Sequence, residues 1–440
     1  MSEYISQHRH SCALGGLQSV TAIDRAIPIL HSGPGCAQRL FGAIALNNGS
    51  QGSGYSGGHS IPCTNIGEKD IIFGGEEKLE TVIESATKIM DADLFVLLTG
   101  CSTEIIGDDA NNVAKKFRED EVPIVYAETG GFNGTNYIGH ELVVNAIIEQ
   151  YLTKKEDVIK GLVNIWSIVP GQDPYWAGNL NELEKLVAEL GLIPNVIFGP
   201  GKGIEAIKKI PQAEFNLLVS PWVGLQNVEL LKKKFGTPYL HYPVLPIGPT
   251  ETNAFLRKVG KFANISEDHI EKVISKNEKL YYYYLERIVE LFSERRIIPK
   301  HFVIISDSFY SLGISKFLVN DLGLIPDKQI ITDGIFPQYQ ELLKEEFRKL
   351  DCAIETEVVF IEKGGEIEDE VGKIKFRDRP LILGSTWDKV IAKKVRGFHL
   401  SVSMPISDRL VINSFYVGYR GALKLLEDIC TVILGEKFSK

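Results

Sequence analysis

The sequence predicts an α/β protein built from successive doubly wound units with parallel sheets, and three observations carry that prediction. An internal repeat comes first: a helix at Leu180–Leu190 runs into Gly191-Leu192-Ile193-Pro194 and a strand Val196–Phe198, and a helix at Ile314–Leu322 runs into Gly323-Leu324-Ile325-Pro326 and a strand Ile330–Ile331. Each copy is preceded by an apolar strand, Leu162–Val169 in one and Phe302–Ile305 in the other, so strands and helices alternate. Finally, Leu94-Phe95-Val96-Leu97-Leu98 is a continuous apolar run between turn residues, the pattern of a strand buried on both faces of a parallel sheet.

At 440 residues with 44% hydrophobic side chains, the chain exceeds what one core supports, and two to three domains of ordinary size follow. Taken in order, Ala13 to Leu30 carries a helical stripe through Leu14, Leu17, Val20, Ala22 and Ile23 that gives way to a short buried strand, Ile27–Leu30. His31 to Cys36 is the loop at that strand's end. Residues 49 to 60 are rich in Gly and Ser with no apolar period, and read as a long loop. Lys78–Met90 is a helix, and Cys101 lies just past the C-terminal end of the Leu94–Leu98 strand, the edge where open α/β sheets bind ligands. Gly199-Pro200-Gly201-Lys202-Gly203 lacks the spacing and the Lys-Ser/Thr end of a phosphate loop and reads as a tight strand-to-helix turn. A long helix, Glu267–Glu294, carries the aromatic run Tyr281–Tyr284 and links the middle and last units. Domains of 1–160, 161–297 and 298–440 are expected.

The net charge of −9, with no stripe of Lys and Arg, argues against a nucleic-acid partner. No stretch of about 18 apolar residues is present to span a bilayer. Met1–His10 is polar, with two histidines, and lacks the apolar segment of a signal peptide, so a cytoplasmic protein is expected. There is no Gly-x-Ser-x-Gly elbow for a hydrolytic triad, and no pair of cysteines, or of Cys and His, at the close spacing of a zinc site.

Six cysteines stand at 12, 36, 63, 101, 352 and 430, too sparse for a disulfide framework, and four of them fall within the first 101 residues. Cys12, Cys36 and Cys101 each have glycine nearby, in Ser11-Cys12-Ala13-Leu14-Gly15-Gly16, Ser32-Gly33-Pro34-Gly35-Cys36 and Gly100-Cys101. Thiolates suit soft metal centres, and Gly33, Gly35 and Gly100 let backbone approach a bulky inorganic cluster. On these residues alone, cluster ligation and simple packing of small apolar side chains are both open readings.

The motifs together extend further. Ser11-Cys12, His31-Ser32-Gly33-Pro34-Gly35-Cys36, Phe73-Gly74-Gly75 and Thr99-Gly100-Cys101-Ser102-Thr103-Glu104-Ile105-Ile106-Gly107-Asp108-Asp109 occur in order. Phe235-Gly236-Thr237-Pro238, Pro246-Ile247-Gly248, Met404-Pro405-Ile406-Ser407-Asp408-Arg409 and Gly418-Tyr419-Arg420-Gly421-Ala422 follow. Over nearly its whole length the chain resembles component 1 of nitrogenase, the dinitrogenase family, and within it the β-type chain. The resemblance implies three doubly wound, Rossmann-like α/β domains and a homologous α-type partner in an α2β2 assembly. It implies that Cys12, Cys36 and Cys101 form this chain's half of the ligand set of an interfacial iron–sulfur cluster, an [8Fe-7S] P-cluster type or a simpler [4Fe-4S] centre. It also implies that Phe73 lies on the docking surface for an ATP-dependent Fe protein, which delivers electrons bound for a substrate site in the α-type chain.

Departures from the family pattern narrow the expectation. Ser220 aligns where α-type chains carry the cysteine that holds the catalytic cofactor, and no histidine follows Asp408 to supply the second ligand, so this chain is not expected to bind that cofactor. Gly131 aligns with a β-chain serine able to ligate the oxidised P-cluster. The chain begins almost at its first cysteine, and the 49–60 stretch looks like an insertion. A nitrogenase-like reductase subunit is the expected function, with a scaffold for maturing a nitrogenase-type cofactor as the alternative. Cys63, Cys352 and Cys430 are expected to pack, His31 to pack or hydrogen-bond beside the cluster, and Glu104, Asp108 and Asp109 to cap a helix start.

Overall fold

The computed structural model describes residues 8–51, 61–154, 157–289, 298–351 and 354–438. Most of the 49–60 stretch, the end of the long helix with the expected boundary near 297, and Cys352 lie outside the described residues. Among the described residues, three sheets form, and every strand pairing in them is parallel. The first contains β1 (Ala26–His31), β2 (Leu94–Thr99) and β3 (Ile124–Ala127) in that order. The second is built of β4 (Ile159–Trp166), β5 (Ile193–Asn195), β6 (Ala213–Val219) and β7 (Tyr239–Tyr242), arranged β5-β4-β6-β7. The third comprises β8 (His301–Ser306), β9 (Ile325–Ile331), β10 (Glu357–Phe360), β11 (Leu381–Gly384) and β12 (Phe398–Ser401), arranged β10-β9-β8-β11-β12.

The winding reverses in all three. In the first sheet a parallel bridge between Leu30 and Cys63 lays the chain on the edge of β1 away from β2. In the others β5 and β9 flank the first strand on one side, and β6 and β11 on the other. Each reversal opens a crevice beyond the C-terminal ends of two neighbouring strands, the place where such sheets hold ligands. In the first sheet those strands are β1 and β2, and they lead directly into the segments bearing Cys36 and Cys101.

The strands are buried on both faces, as their apolar runs require. Ile27, Ile29, Phe95 and Leu97 pack outward with Leu79, Ile83 and Ala86 of the helix Glu76–Ile89, while Leu30, Leu94, Val96 and Leu98 face a core that joins the three units. Several expected elements shift. The Ala13–Leu30 stripe is a 3-10 turn, Ala13–Gly16, and a short helix, Leu17–Thr21, before β1 begins at Ala26. The repeat strands start inside Gly-Leu-Ile-Pro: proline is tolerated on edge strands and at strand starts, and Pro194 lies in the edge strand β5 while Pro326 is the second residue of β9. Residues 196–198 are consequently not a strand, and Gly199 instead bridges to Ile23 of the N-terminal unit. In the turn that follows, the Gly201 N–H donates to Asp24 and Lys202 pairs with Glu184, so donors a phosphate would need are already engaged. The long helix runs Glu267–Leu285 and tightens into a 3-10 turn at Glu286–Ile288.

Where the second and third sheets meet, Asp173 is buried and accepts from the Tyr175 N–H at 2.6 Å and the Tyr310 hydroxyl at 2.8 Å. Burial pushes its pKa up to about 7. The native state thus keeps a proton that the unfolded chain gives up near pH 4, and this group's contribution to stability falls as pH rises between about 4 and 7. Asp173→Asn removes that dependence. In thermal unfolding, the Tm difference between variant and parent is expected to move in the variant's favour between about pH 5 and pH 8; a difference flat with pH contradicts the assignment.

Candidate metal centre

Each of the three cysteines is presented by a different device. Cys36 is the third residue of the helix Pro34–Asn47, whose first residue is proline, the residue preset for that position, and whose start follows β1 by two residues. Cys101 opens the helix Cys101–Ile106 immediately after Gly100 and β2. Cys12 comes from the N-terminal segment, held by an antiparallel bridge to Thr135, with the Ala13 N–H donating to the Gly134 carbonyl at 2.9 Å and the Asn136 N–H to the Ser11 carbonyl at 2.9 Å. All three cysteines are exposed, against the tendency of unbonded cysteine to be buried.

Their sulfurs address one region. The Gly131 N–H donates to Cys101 Sγ at 3.0 Å, and a Cβ placed on Gly131 would sit 3.0 Å from Cys101 Sγ and 3.7 Å from Cys12 Sγ. The Cys36 thiol is pushed above the usual range by partial burial and then by the charges of Cys12, Cys101 and Cys63. Among the described residues, the one group of three or more His, Cys, Asp or Glu ligand atoms that closes within 4.8 Å lies elsewhere, so these sulfurs are spaced too widely to share one ion. Three thiolates facing one region without converging on a point fit a polynuclear cluster, and they are one short of the four that a cubane takes.

The glycines divide in role. A Cβ on Gly35 would meet nothing within 4 Å and one on Gly33 only the Ile66 carbonyl at 3.8 Å, leaving the surface by Cys36 uncluttered. Gly100 is fixed by packing: its Cβ would fall 2.6 Å from that of Ser32.

The surrounding polar groups brace the cysteine loops. Glu104 does not cap its helix. Its carboxylate accepts from the Gly130 N–H at 2.6 Å, the Thr99 hydroxyl at 2.5 Å and the Asn133 amide at 3.2 Å, anchoring the loop whose next N–H meets Cys101. Asp108 is likewise no cap: it accepts from the Gly75 N–H at 3.0 Å and pairs with His31 Nε2 at 2.9 Å, while Asp109 does cap the helix Ala110–Glu119. His31 is fully buried, with Nδ1 against the Thr64 hydroxyl at 3.1 Å, and burial holds its pKa below the ordinary value. Both its nitrogens are engaged, by Thr64 and Asp108. Thr64 escapes sequence reasoning, as do the contacts of Glu104 with Gly130 and of Gly131 with Cys101, because these partners are distant in the chain.

The Cys63 thiol donates to the Ser32 carbonyl at 3.4 Å, and half-buried Cys430 lies in the helix Gly418–Phe438. Phe73 is 85% exposed, the last residue of the helix Glu68–Phe73, beside exposed Ile71 and Ile72. Ser220, just past β6, is fully buried; its hydroxyl accepts from the Trp222 N–H at 3.3 Å and its carbonyl pairs with His241 Nε2 at 2.7 Å. A cavity lined by Tyr137, Asp173, Asp307 and Tyr310 among others measures about 10 Å³, room for at most one water.

A family model described as nitrogenase component 1 type oxidoreductase matches residues 11–434. The nitrogenase molybdenum-iron protein beta chain of Azotobacter vinelandii is 24% identical, over 96% of this chain and 82% of that one. A chain of the light-independent protochlorophyllide reductase of Trichormus variabilis is 22% identical, over 81% of this chain and 69% of that one. A solved structure described as nitrogenase Cp1 at pH 6.5 has the same fold, with a TM-score of 0.82 at 17% identity and coverage of 99% and 94%. With the match spanning all three sheets and every one of the three exposed cysteines, the chain belongs to the nitrogenase component 1 type oxidoreductase family.

Proposed function

We propose that this chain is the β-type subunit of a nitrogenase-like two-component reductase, with Cys12, Cys36 and Cys101 holding its half of an iron–sulfur cluster shared with a homologous α-type chain. The observation that carries this reading is the gathering of three exposed thiols at the crevice between β1 and β2. A bound cluster, of [8Fe-7S] or [4Fe-4S] type, supplies one-electron redox chemistry at a potential set by its ligands and their hydrogen bonds. The chain's own part is to fix the ligands. Gly131 donates to Cys101 Sγ, Glu104 holds the Gly130 backbone beside it, and Ser32 wedged against Gly100 ties the Cys36 loop to the Cys101 loop.

The exposed Ile71, Ile72 and Phe73 form an apolar patch suited to docking the ATP-dependent Fe protein-type reductase. Gly75 connects the patch inward: its N–H is bound by Asp108, which also holds His31 at the end of β1. Ser220 is fully buried with its hydroxyl engaged, which supports placing the substrate site in the α-type chain. Among the described residues no helix is long and apolar enough to cross a membrane, and free thiols suit the reducing cytoplasm.

The test is anaerobic co-purification with the α-type chain, then iron and sulfide counting and EPR in reduced and oxidised states. About eight irons per interface support the P-cluster type and about four a simpler cluster; none overturns the reading. Substrate reduction by the complex with its reductase separates a working enzyme from a cofactor-maturation scaffold.

A further inference from the structure

The N-terminal segment carries a second ligand set, on the two histidines that flank Arg9. Arg9 points one way and is buried, its guanidinium bound to Asp388 at 2.5 and 2.7 Å and to the Ser385 hydroxyl at 3.0 Å, while its carbonyl accepts from Gln172. His8 and His10 point the other way, their rings 5.3 Å apart. They meet one oxygen of Glu362, which follows β10: His8 Nδ1 and His10 Nε2 each lie 3.0 Å from Glu362 Oε2. All three ligand atoms fall within 4.8 Å of one another. In a tetrahedral zinc site, bonds of about 2.0–2.2 Å place neighbouring ligand atoms about 3.3–3.5 Å apart, close to this spacing.

Hydrogen-bond accounting at His10 calls for positive charge, either a second ring proton or a bound cation. Nδ1 lies 3.3 Å from the Ser11 carbonyl and Nε2 faces the Glu362 carboxylate, so both ring nitrogens look at acceptors. A neutral imidazole has one N–H to give. With that hydrogen on Nδ1, where a backbone carbonyl orients it in the manner usual for metal-bound histidine, the Nε2 lone pair confronts a carboxylate oxygen with nothing between them. A metal ion in that gap turns the opposition into ligation. Gly334 leaves the space open: a Cβ there would crowd Glu362 Oε1 at 3.2 Å and His10 Nε2 at 3.4 Å.

We propose that His8, His10 and Glu362 bind one borderline divalent cation, of which Zn²⁺ is the type, fastening the segment that carries Cys12 to the C-terminal unit. The ligand chemistry is nitrogen and oxygen, distinct from the thiolates, and does not rest on the cluster reading. Water completes the coordination, since the His8 side chain is 54% exposed and the Glu362 side chain 35%. Any ring proton held in the two N···O gaps leaves to solvent as the ion enters.

The test is anaerobic titration of the full chain with Co²⁺, then displacement by Zn²⁺. One equivalent of cobalt is expected, giving visible ligand-field bands without sulfur-to-cobalt charge transfer, and it should persist when Cys12, Cys36 and Cys101 are all replaced by alanine. Loss of a partner outside the coordination shell commonly weakens metal binding about 10–100-fold, so His10→Ala and the isosteric Glu362→Gln, which remove direct ligands, should weaken it at least about tenfold. Equal affinity in those variants, cobalt bands lost with the cysteines, or no binding at micromolar metal would overturn the site.

Discussion

Replacing Cys101 by alanine is expected to strip the cluster iron from the complex, the largest functional effect of any single change in this chain. The residue is exposed and opens a six-residue helix, where alanine is well tolerated, so little folding stability goes with the sulfur. What is lost is a thiol together with the Gly131 N–H bond it accepts at 3.0 Å, leaving two of the three proposed ligands in this half of the site. Cys36→Ala should behave alike. Cys430→Ala is the control: that thiol is half-buried in the helix Gly418–Phe438, so its loss costs about 1 kcal/mol of packing and no iron. Iron per chain, with circular dichroism to confirm folding, reads the result; equal iron in the three variants would sink the ligand assignment. Loading also has a pH sign. The Cys36 thiol is held above its ordinary range and must lose its proton to ligate, so cluster binding tightens as pH rises through that range and weakens below it.

How far the sequence carries can be traced residue by residue. β2 is legible because five consecutive apolar residues buried on both faces leave no other reading, and the structure extends it by one residue, to Thr99. Cys101 beyond its end is legible for the same reason. Local patterns mislead where long-range pairing decides: Ile193-Pro194 looks like a breaker and becomes strand because Leu162 and Val163 of β4 lie alongside. Glu104 and Asp108 follow the rule for carboxylates at helix starts, yet each finds better partners, Glu104 in the Gly130 N–H and Asp108 in Gly75 and His31. Such preferences are weak beside a buried donor that must be satisfied. The His8–His10 pair is plain in sequence, but its third member is 352 residues beyond His10, and nothing in the spacing announces it.

Gly139→Ala is expected to cost the N-terminal unit its stability and, with it, the placement of Cys12. The turn Ala13–Gly16, which follows Cys12 directly, crosses the helix Asn136–Ala146 with backbone against backbone. A Cβ on Gly139 would lie 2.0 Å from the Ala13 carbonyl oxygen and 2.9 Å from the Gly16 nitrogen; one on Gly16 would lie 2.6 Å from the Gly139 carbonyl oxygen. No side-chain rotation relieves a clash between main-chain atoms, so the elements must separate. Overpacking of a core costs about 1–3 kcal/mol when side chains can yield, and here the cost should reach or exceed the top of that range. Separation also draws Ala13 away from the Gly134 carbonyl, the bond that keeps Cys12 beside Gly131. Iron content should therefore fall along with Tm, although no ligand has been touched. Gly35→Ala, next to Cys36 in the helix Pro34–Asn47 and with nothing within 4 Å of its Cβ, should leave Tm unchanged or slightly raised, which makes the pair a direct measure of close approach against open space. A Gly139→Ala chain that keeps both its Tm and its iron would show that the crossing can open without moving Cys12, and the link drawn between this contact and the metal centre would fail.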